Sequence, residues 1–151
     1  MFKTVEWKNN TVVMIDQTVL PEKEIYRKYK TYTEVAKAIK DMIVRGAPAI
    51  GVAAAMGVAL GALKSKASDM KGFSKEFDKI TSLMASTRPT AVNLFWAIER
   101  MKKVASENAA LSVNKLKKRL VEEAKTIHKE DIEICRMIGR HGGKLLKNGT
   151  V

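Results

Sequence analysis

The run Arg45–Leu63, RGAPAIGVAAAMGVALGAL, decides how the rest of the chain is read. Pro48 fits the first turn of a helix, where its missing N–H costs nothing. Gly46 and Ala47 before it leave room for another group to approach the backbone. The first N–H groups of a helix have no internal partner, and the positive end of the helix dipole lies there. With Arg45 alongside, such an end suits a phosphate or a carboxylate. The helix behind it is thin. Gly51, Ala55, Ala59 and Ala62 share one face, and Ala54, Gly57, Val58 and Gly61 share another, so neighbouring helices can come close. These residues predict a buried helix with an anion site at its N-terminus. They read as readily as a Gly46 C-cap on the preceding helix, a Pro48 helix starter and a solvated Arg45. A membrane span is a third reading. The run is at the short end of the roughly 17–25 residues a span needs. It is rich in Ala and Gly and has no second copy in the chain, so a core helix fits better.

The 151 residues suffice for one domain with a core, and a hydrophobic fraction of 46% with three prolines argues against disorder. The single cysteine, Cys135, excludes an internal disulfide framework and fits a reducing compartment. The N-terminus, FKTVEWKNN, is polar and does not have the form of a secretion signal, which makes cytoplasm the expected location. A net charge of +12 allows anionic partners, nucleic acid included. The densest basic cluster, Lys115, Lys117, Lys118 and Arg119, lies on an amphipathic stretch without aromatics. A solvated helix face accounts for it better than a nucleic-acid site.

Outward from the central run, Val5–Trp7 and Thr11–Ile15 read as strands around an Asn9–Asn10 turn, with a third from Ile25 to Tyr29 after Pro21. The prediction is a small antiparallel sheet over residues 1–30, packed by Trp7, Tyr26 and Tyr29. Residues 31–147 read as the helical part of the same domain. Thr31 and Glu34 have capping-box spacing. The helix after them carries Val35, Ile39, Met42 and Ile43 and should stop at Gly46. Ser68–Gly72 reads as a loop, and Ser74 as the cap of a helix whose apolar face is Phe77, Ile80, Leu83 and Met84.

Pro89 disfavours helical geometry at Arg88. Thr90 is the expected cap of a helix from Ala91 to about Ser106, with Val92, Phe95, Trp96 and Met101 as its bulk. An Arg, a Pro and a helix start thus occur twice. Two guanidinium groups converging on one anion would explain the repetition, since the planar fork of Arg matches phosphate oxygens. Ser112 reads as the cap of a last helix with Leu116, Leu120, Ala124, Ile127, Ile134 and Ile138 in one stripe. His128 and Asp131 supply two possible metal ligands where zinc wants three or four. A polar cluster or domain-facing patch there, including Glu130, fits better than a metal site. His141–Gly142–Gly143 reads as a helix end, and residues 148–151 as the start of a linker or strand into a further domain.

Two of these segments carry a family resemblance. VRGAPAIGVAAAMGVAL (Val44–Leu60) and STRPTAVNLFWAIERM (Ser86–Met101) resemble the signature segments of the methylthioribose-1-phosphate isomerases. That family is grouped with ribose-1,5-bisphosphate isomerases and the regulatory subunits of translation initiation factor 2B. VEWKNNTVVMIDQTVLP at the start and IGRHGGKLLKNGTV at the end are similar as well. The resemblance implies an α+β fold, with a mostly helical N-terminal domain, a small sheet at its start, and a Rossmann-like second domain beyond Val151. It implies an aldose–ketose isomerase without cofactor or metal, acting on a phosphorylated sugar. Expected partners are the C-terminal domain and a second copy in a homodimer. It implies that Arg45, Gly46, Ala47 and Arg88 bind the substrate phosphate; Pro48 and Asn93 are candidates to line the site. The family's catalytic Cys, in a Cys-Asn-Ala-Gly segment, and its catalytic Asp would both follow Val151. Cys135 lacks that context, so the expectation is that no catalytic residue lies in 1–151 and that these residues alone are inactive. A regulatory or scaffold subunit and a ribose-1,5-bisphosphate isomerase are the alternatives.

Overall fold

A computed structural model describes residues 3–146; the expected linker or strand at 148–151 lies outside them. Three strands are followed by five helices. Strands β1 (Val5–Lys8), β2 (Thr11–Ile15) and β3 (Tyr26–Tyr29) form one antiparallel sheet in the order β1-β2-β3. Val5 pairs with Met14 and Val12 with Tyr29. Asn9 and Asn10 have φ of 50° and 55°, the left-handed pair that a two-residue hairpin turn requires. Trp7 and Tyr29 pack against the core. Tyr26 does not: it is exposed on the outer face, against the expectation that it packs the sheet.

The helices are α1 (Tyr32–Lys40), α2 (Ala47–Lys64), α3 (Met70–Thr87), α4 (Val92–Glu107) and α5 (Val113–Gly143). Helix α2 is the axis of the fold. It packs against the other four helices and against β1 and β2, and every residue from Ile50 to Ala62 is buried. Its glycines explain how so many neighbours reach it. A Cβ on Gly61 would meet Ile80 Cδ1 of α3 at 2.8 Å, and one on Gly57 would meet Val35 Cγ1 of α1 at 2.8 Å. Its length and apolarity would allow a membrane crossing, but here its apolar surface is covered by the protein's own helices.

Several boundaries differ from the sequence reading. Helix α1 stops at Lys40, well before Gly46. The cap of α3 is Asp69, whose Oδ1 accepts from the Gly72 N–H at 2.7 Å, so the helix starts inside the expected loop and Ser74 caps nothing. Thr90 is not the cap of α4 either. Ala91 takes that position without a side-chain bond. Ser112 is the N-cap of α5 but also makes no side-chain capping bond.

Of the residues expected to supply the bulk of α4, Met101 is buried, but Val92, Phe95 and Trp96 are not. Leu94, Ala97, Ile98, Met101 and Val104 are buried, while Val92 is 78% and Trp96 52% exposed and Phe95 lies at the surface. Against a partner as thin as α2, the face with Ala97 at its centre fits and the Phe–Trp face does not. On α5 the expected stripe splits. Leu116, Leu120, Ala124 and Ile127 are buried, but Ile134 and Ile138, further along the helix, are exposed.

Candidate functional site

The loop from α1 to α2 is built by two left-handed residues. After the C-cap Asp41, the Met42 N–H donates to Ile39 O at 3.2 Å and the Ile43 N–H to Ala38 O at 3.0 Å. That is the paired ending in which the residue between is left-handed, usually glycine. Here it is Met42, at φ 59°. A helix ended by Met has no sequence signature, which is why Met42 and Ile43 read as helical.

Val44 is fully buried and fastens the loop to the core. Arg45 follows, exposed, with its Nε 3.5 Å from Met42 O. Gly46 then takes φ 95° as the N-cap of α2. It is a helix entrance, not the C-cap of the preceding helix. A β-carbon there would have space, with Ala49 Cβ 4.0 Å away, but the backbone angle is one that L side chains rarely adopt. Pro48 is the second helical residue, and the first turn carries no acidic side chain. Among the described residues, the N–H groups of Gly46, Ala47 and Ala49 have no hydrogen-bond partner. An exposed Arg beside free first-turn N–H groups is an arrangement that accepts an anion.

Arg88 is the C-cap of α3, half-buried, at φ −145° and ψ 83°. Its carbonyl accepts from the Ala91 N–H at 3.0 Å, a single turn that carries the chain across Pro89 into α4. The start of α4 sits on the start of α2. A Cβ on Gly51 would lie 2.8 Å from Asn93 O. Pro48, Gly51, Asn93 and Trp96 face Ile127, Glu130, Asp131 and Ile134 of α5 across a cleft of about 390 Å³. A neighbouring cleft of about 510 Å³ shares Val52 and Asp131 and is lined also by Lys3, His128 and Cys135.

Of the residues singled out from sequence, Pro48 and Asn93 meet on one wall of the first cleft. Arg45, Gly46, Ala47 and Arg88 are not among its lining residues. Arg45, Gly46 and Ala47 stand at the entrance of α2 and Arg88 at the end of α3 just before α4, and the first turns of α2 and α4 meet at Gly51 and Asn93. Among the described residues, neither Arg45 nor Arg88 takes part in an ion pair.

Arg100 is different, and sequence reasoning passed over it. Its Nε donates to Glu123 Oε1 at 2.6 Å and its Nη2 to Glu130 Oε1 at 3.0 Å, while the guanidinium lies 5.5 Å from the Trp96 ring centroid. Arg119 adds an ion pair to the buried Glu123 at 2.8 Å. This group ties α4 to α5 and fixes the wall formed by Trp96 and Glu130. The hydrogen bond from Arg100 holds the Glu130 carboxyl below the ordinary range and raises the guanidinium further. The i,i+4 spacing of Trp96 and Arg100 was the one available signal. Burial lowers the His128 imidazole pKa, and the nearby Asp131 carboxylate opposes that only in part. Among the described residues no group of three His, Cys, Asp or Glu gathers as a metal site.

Comparison with known proteins gives a consistent result. Residues 43–151 match the Initiation factor 2 subunit family. The chain is 55% identical over 149 residues to the methylthioribose-1-phosphate isomerase of Geotalea uraniireducens, covering 99% of this chain and 43% of that protein. It is 51% identical over 145 residues to the 5-deoxyribose 1-phosphate isomerase of Bacillus cereus, covering 96% of this chain and 42% of that protein. Among solved structures, 5-methylthioribose 1-phosphate isomerase from Pyrococcus horikoshii superposes with a TM-score of 0.95 at 44% identity, covering 99% of this chain and 42% of that one. The delta subunit of translation initiation factor eIF-2B from A. fulgidus gives 0.89 at 38% identity, covering 99% of this chain and 43% of that one. The chain thus spans less than half the length of the relatives it matches.

Proposed function

The chain belongs to the Initiation factor 2 subunit family, and on that footing we propose that it is the N-terminal part of an aldose–ketose isomerase. The reaction is conversion of 5-methylthioribose 1-phosphate to 5-methylthioribulose 1-phosphate in methionine salvage. The observation that carries this reading is identity at more than half of 149 aligned positions to bacterial isomerases of that substrate. The structural likeness is also higher to an isomerase than to the eIF-2B subunit.

In this reading the 151 residues hold and orient the substrate. Arg45, Arg88 and the N–H groups of Gly46 and Ala47 take the phosphate, and Pro48 and Asn93 line the approach. Charge-assisted bonds from two guanidinium groups suit a sugar-borne dianion, and the free N–H groups add fixed partial charge that needs no rearrangement. Aldose–ketose exchange also needs groups that move a proton or hydride between adjacent carbons. Those come from the part of the protein that follows, and the first 151 residues alone are inactive. The whole protein works as a cytoplasmic homodimer and needs no cofactor.

A second sugar has specific support, because a relative of nearly the same identity carries the name 5-deoxyribose 1-phosphate isomerase. The test is turnover by the full-length gene product of 5-methylthioribose 1-phosphate, 5-deoxyribose 1-phosphate and ribose 1,5-bisphosphate. The expected result is the highest kcat/KM on the methylthio sugar. A preference for either other sugar reassigns the substrate. No turnover of any of the three favours a regulatory subunit.

A further inference from the structure

Gln17 is two residues beyond the end of β2 and 28 positions from Arg45 in sequence, yet it holds the loop that carries Arg45 at two points. Its backbone N–H donates to Ile43 O at 2.9 Å, and its side-chain Nε2 donates to Arg45 O at 3.4 Å. The residue before it, Asp16, is fully buried. Its carboxylate accepts from the Thr18 hydroxyl at 2.6 Å, from the Thr18 N–H at 3.0 Å and from Arg27 Nε at 2.6 Å. Gln17 therefore projects from an anchored point beside the sheet.

Bonding the Arg45 carbonyl has a definite consequence. Carbonyl and N–H lie in the plane of a trans peptide and point in opposite directions. Fixing Arg45 O toward Gln17 therefore aims the Gly46 N–H away from the sheet. That N–H has no partner among the described residues. Gly46 has no side chain to bias its own rotation, and it takes a φ of 95° that a free glycine would share with many others. The plane needs an outside constraint, and the amide of Gln17 is the one on hand.

We propose that Gln17 is a positioning residue for phosphate binding: it orients the Arg45–Gly46 peptide so that the Gly46 N–H faces the anion. The proposal rests on the phosphate role given above to Arg45 and Gly46. The substitution Gln17→Leu keeps about the size of the amide but leaves nothing to donate. The substitution Gln17→Glu keeps the shape and sets a carboxylate against the Arg45 carbonyl.

The test uses the full-length gene product with Q17L and Q17E. It reads KM for 5-methylthioribose 1-phosphate, the inhibition constant of inorganic phosphate, kcat and thermal midpoint. A single hydrogen bond predicts a rise of about three- to tenfold in KM for Q17L, with a parallel rise in the phosphate constant. Q17E should rise further, and kcat and the midpoint should stay near wild type in both variants. A merely structural role would lower the midpoint and leave the phosphate constant where it was. Unchanged KM and phosphate constant in both variants of an active enzyme overturns the inference alone. An inactive wild type overturns the isomerase reading and this inference with it.

Discussion

Gly51 and Asn93 approach each other more closely than any β-carbon would allow, since one built on Gly51 lies 2.8 Å from the Asn93 carbonyl oxygen. This contact sets the start of α4 on the start of α2 and so fixes how the two Arg-led helix entrances stand to one another. Because the opposing atom is backbone, it cannot rotate aside.

Gly51→Ala is expected to lower stability by about 1–3 kcal/mol through overpacking and to raise KM for the phosphosugar, because α4 has to move bodily. Gly61→Ala meets side-chain atoms of Ile80 and should cost stability with no change in KM. Denaturant unfolding and steady-state kinetics on both variants separate the two effects.

Arg45→Ala and Arg88→Ala should each reduce kcat/KM by the equivalent of about 1.5–3 kcal/mol, the worth of a hydrogen bond to a charged group. Since neither side chain is ion-paired among the described residues, the thermal midpoint should hardly move. Wild-type kinetics in both variants would remove these residues from the phosphate site.

Met42→Gly is expected to stabilise the protein. Met42 sits at φ 59°, is 40% exposed and lies outside the core cluster, so it bears left-handed strain without a place in the packed interior. Relief of that strain, about 1–2 kcal/mol, exceeds the extra chain entropy lost by glycine, about 0.5–1 kcal/mol. The midpoint of a urea titration should rise without a change in slope.

Two acid-side losses of stability are predicted, in separate pH windows. Hydrogen bonds from Thr18 first, and from Arg27, hold the Asp16 carboxyl below its ordinary value of 3.8. The unfolded chain binds that proton more readily, so this contribution is complete above about pH 4 and fades as pH falls further. Burial lowers the His128 pKa from 6.5. The unfolded chain therefore also takes up this proton first, and stability declines as pH drops through about 6.5. Unfolding free energy measured from about pH 8 to about pH 3 should show both declines. His128→Asn should remove the upper one, and Asp16→Asn should reduce the lower, to which the depressed carboxyls of Glu6, Glu34 and Glu130 also contribute.

Features that depend on residues close together in the chain could be read from it. The Thr31–Glu34 capping box, the Asn9–Asn10 hairpin and the thin faces of α2 are set by steps of a few residues. The structure has each of them. The two helix entrances led by Arg45 and Arg88 were legible in the same way, because proline constrains its immediate neighbours. The start of α3 was missed for a local reason: Asp69 and Ser74 are both competent caps, and only the earlier one is used.

Other features needed the packed molecule. Both faces of α4 are apolar, so its own periodicity cannot choose between them. The choice belongs to the packing on α2, where Gly51 lets the α4 backbone come close at Asn93; Leu94 and Ala97 are buried there, and Phe95 and Trp96 stay outside. The end of α1 at Lys40, ahead of the left-handed Met42, goes with Val44 in the core and the Gln17 N–H on Ile43 O, contacts that no local propensity encodes. Local chemistry along the chain therefore settled which segments are helical and where prolines break or start them. How those helix ends are aimed came from bonds between residues far apart in the chain, because a backbone with two free rotations per residue keeps one orientation only when something outside the segment holds it.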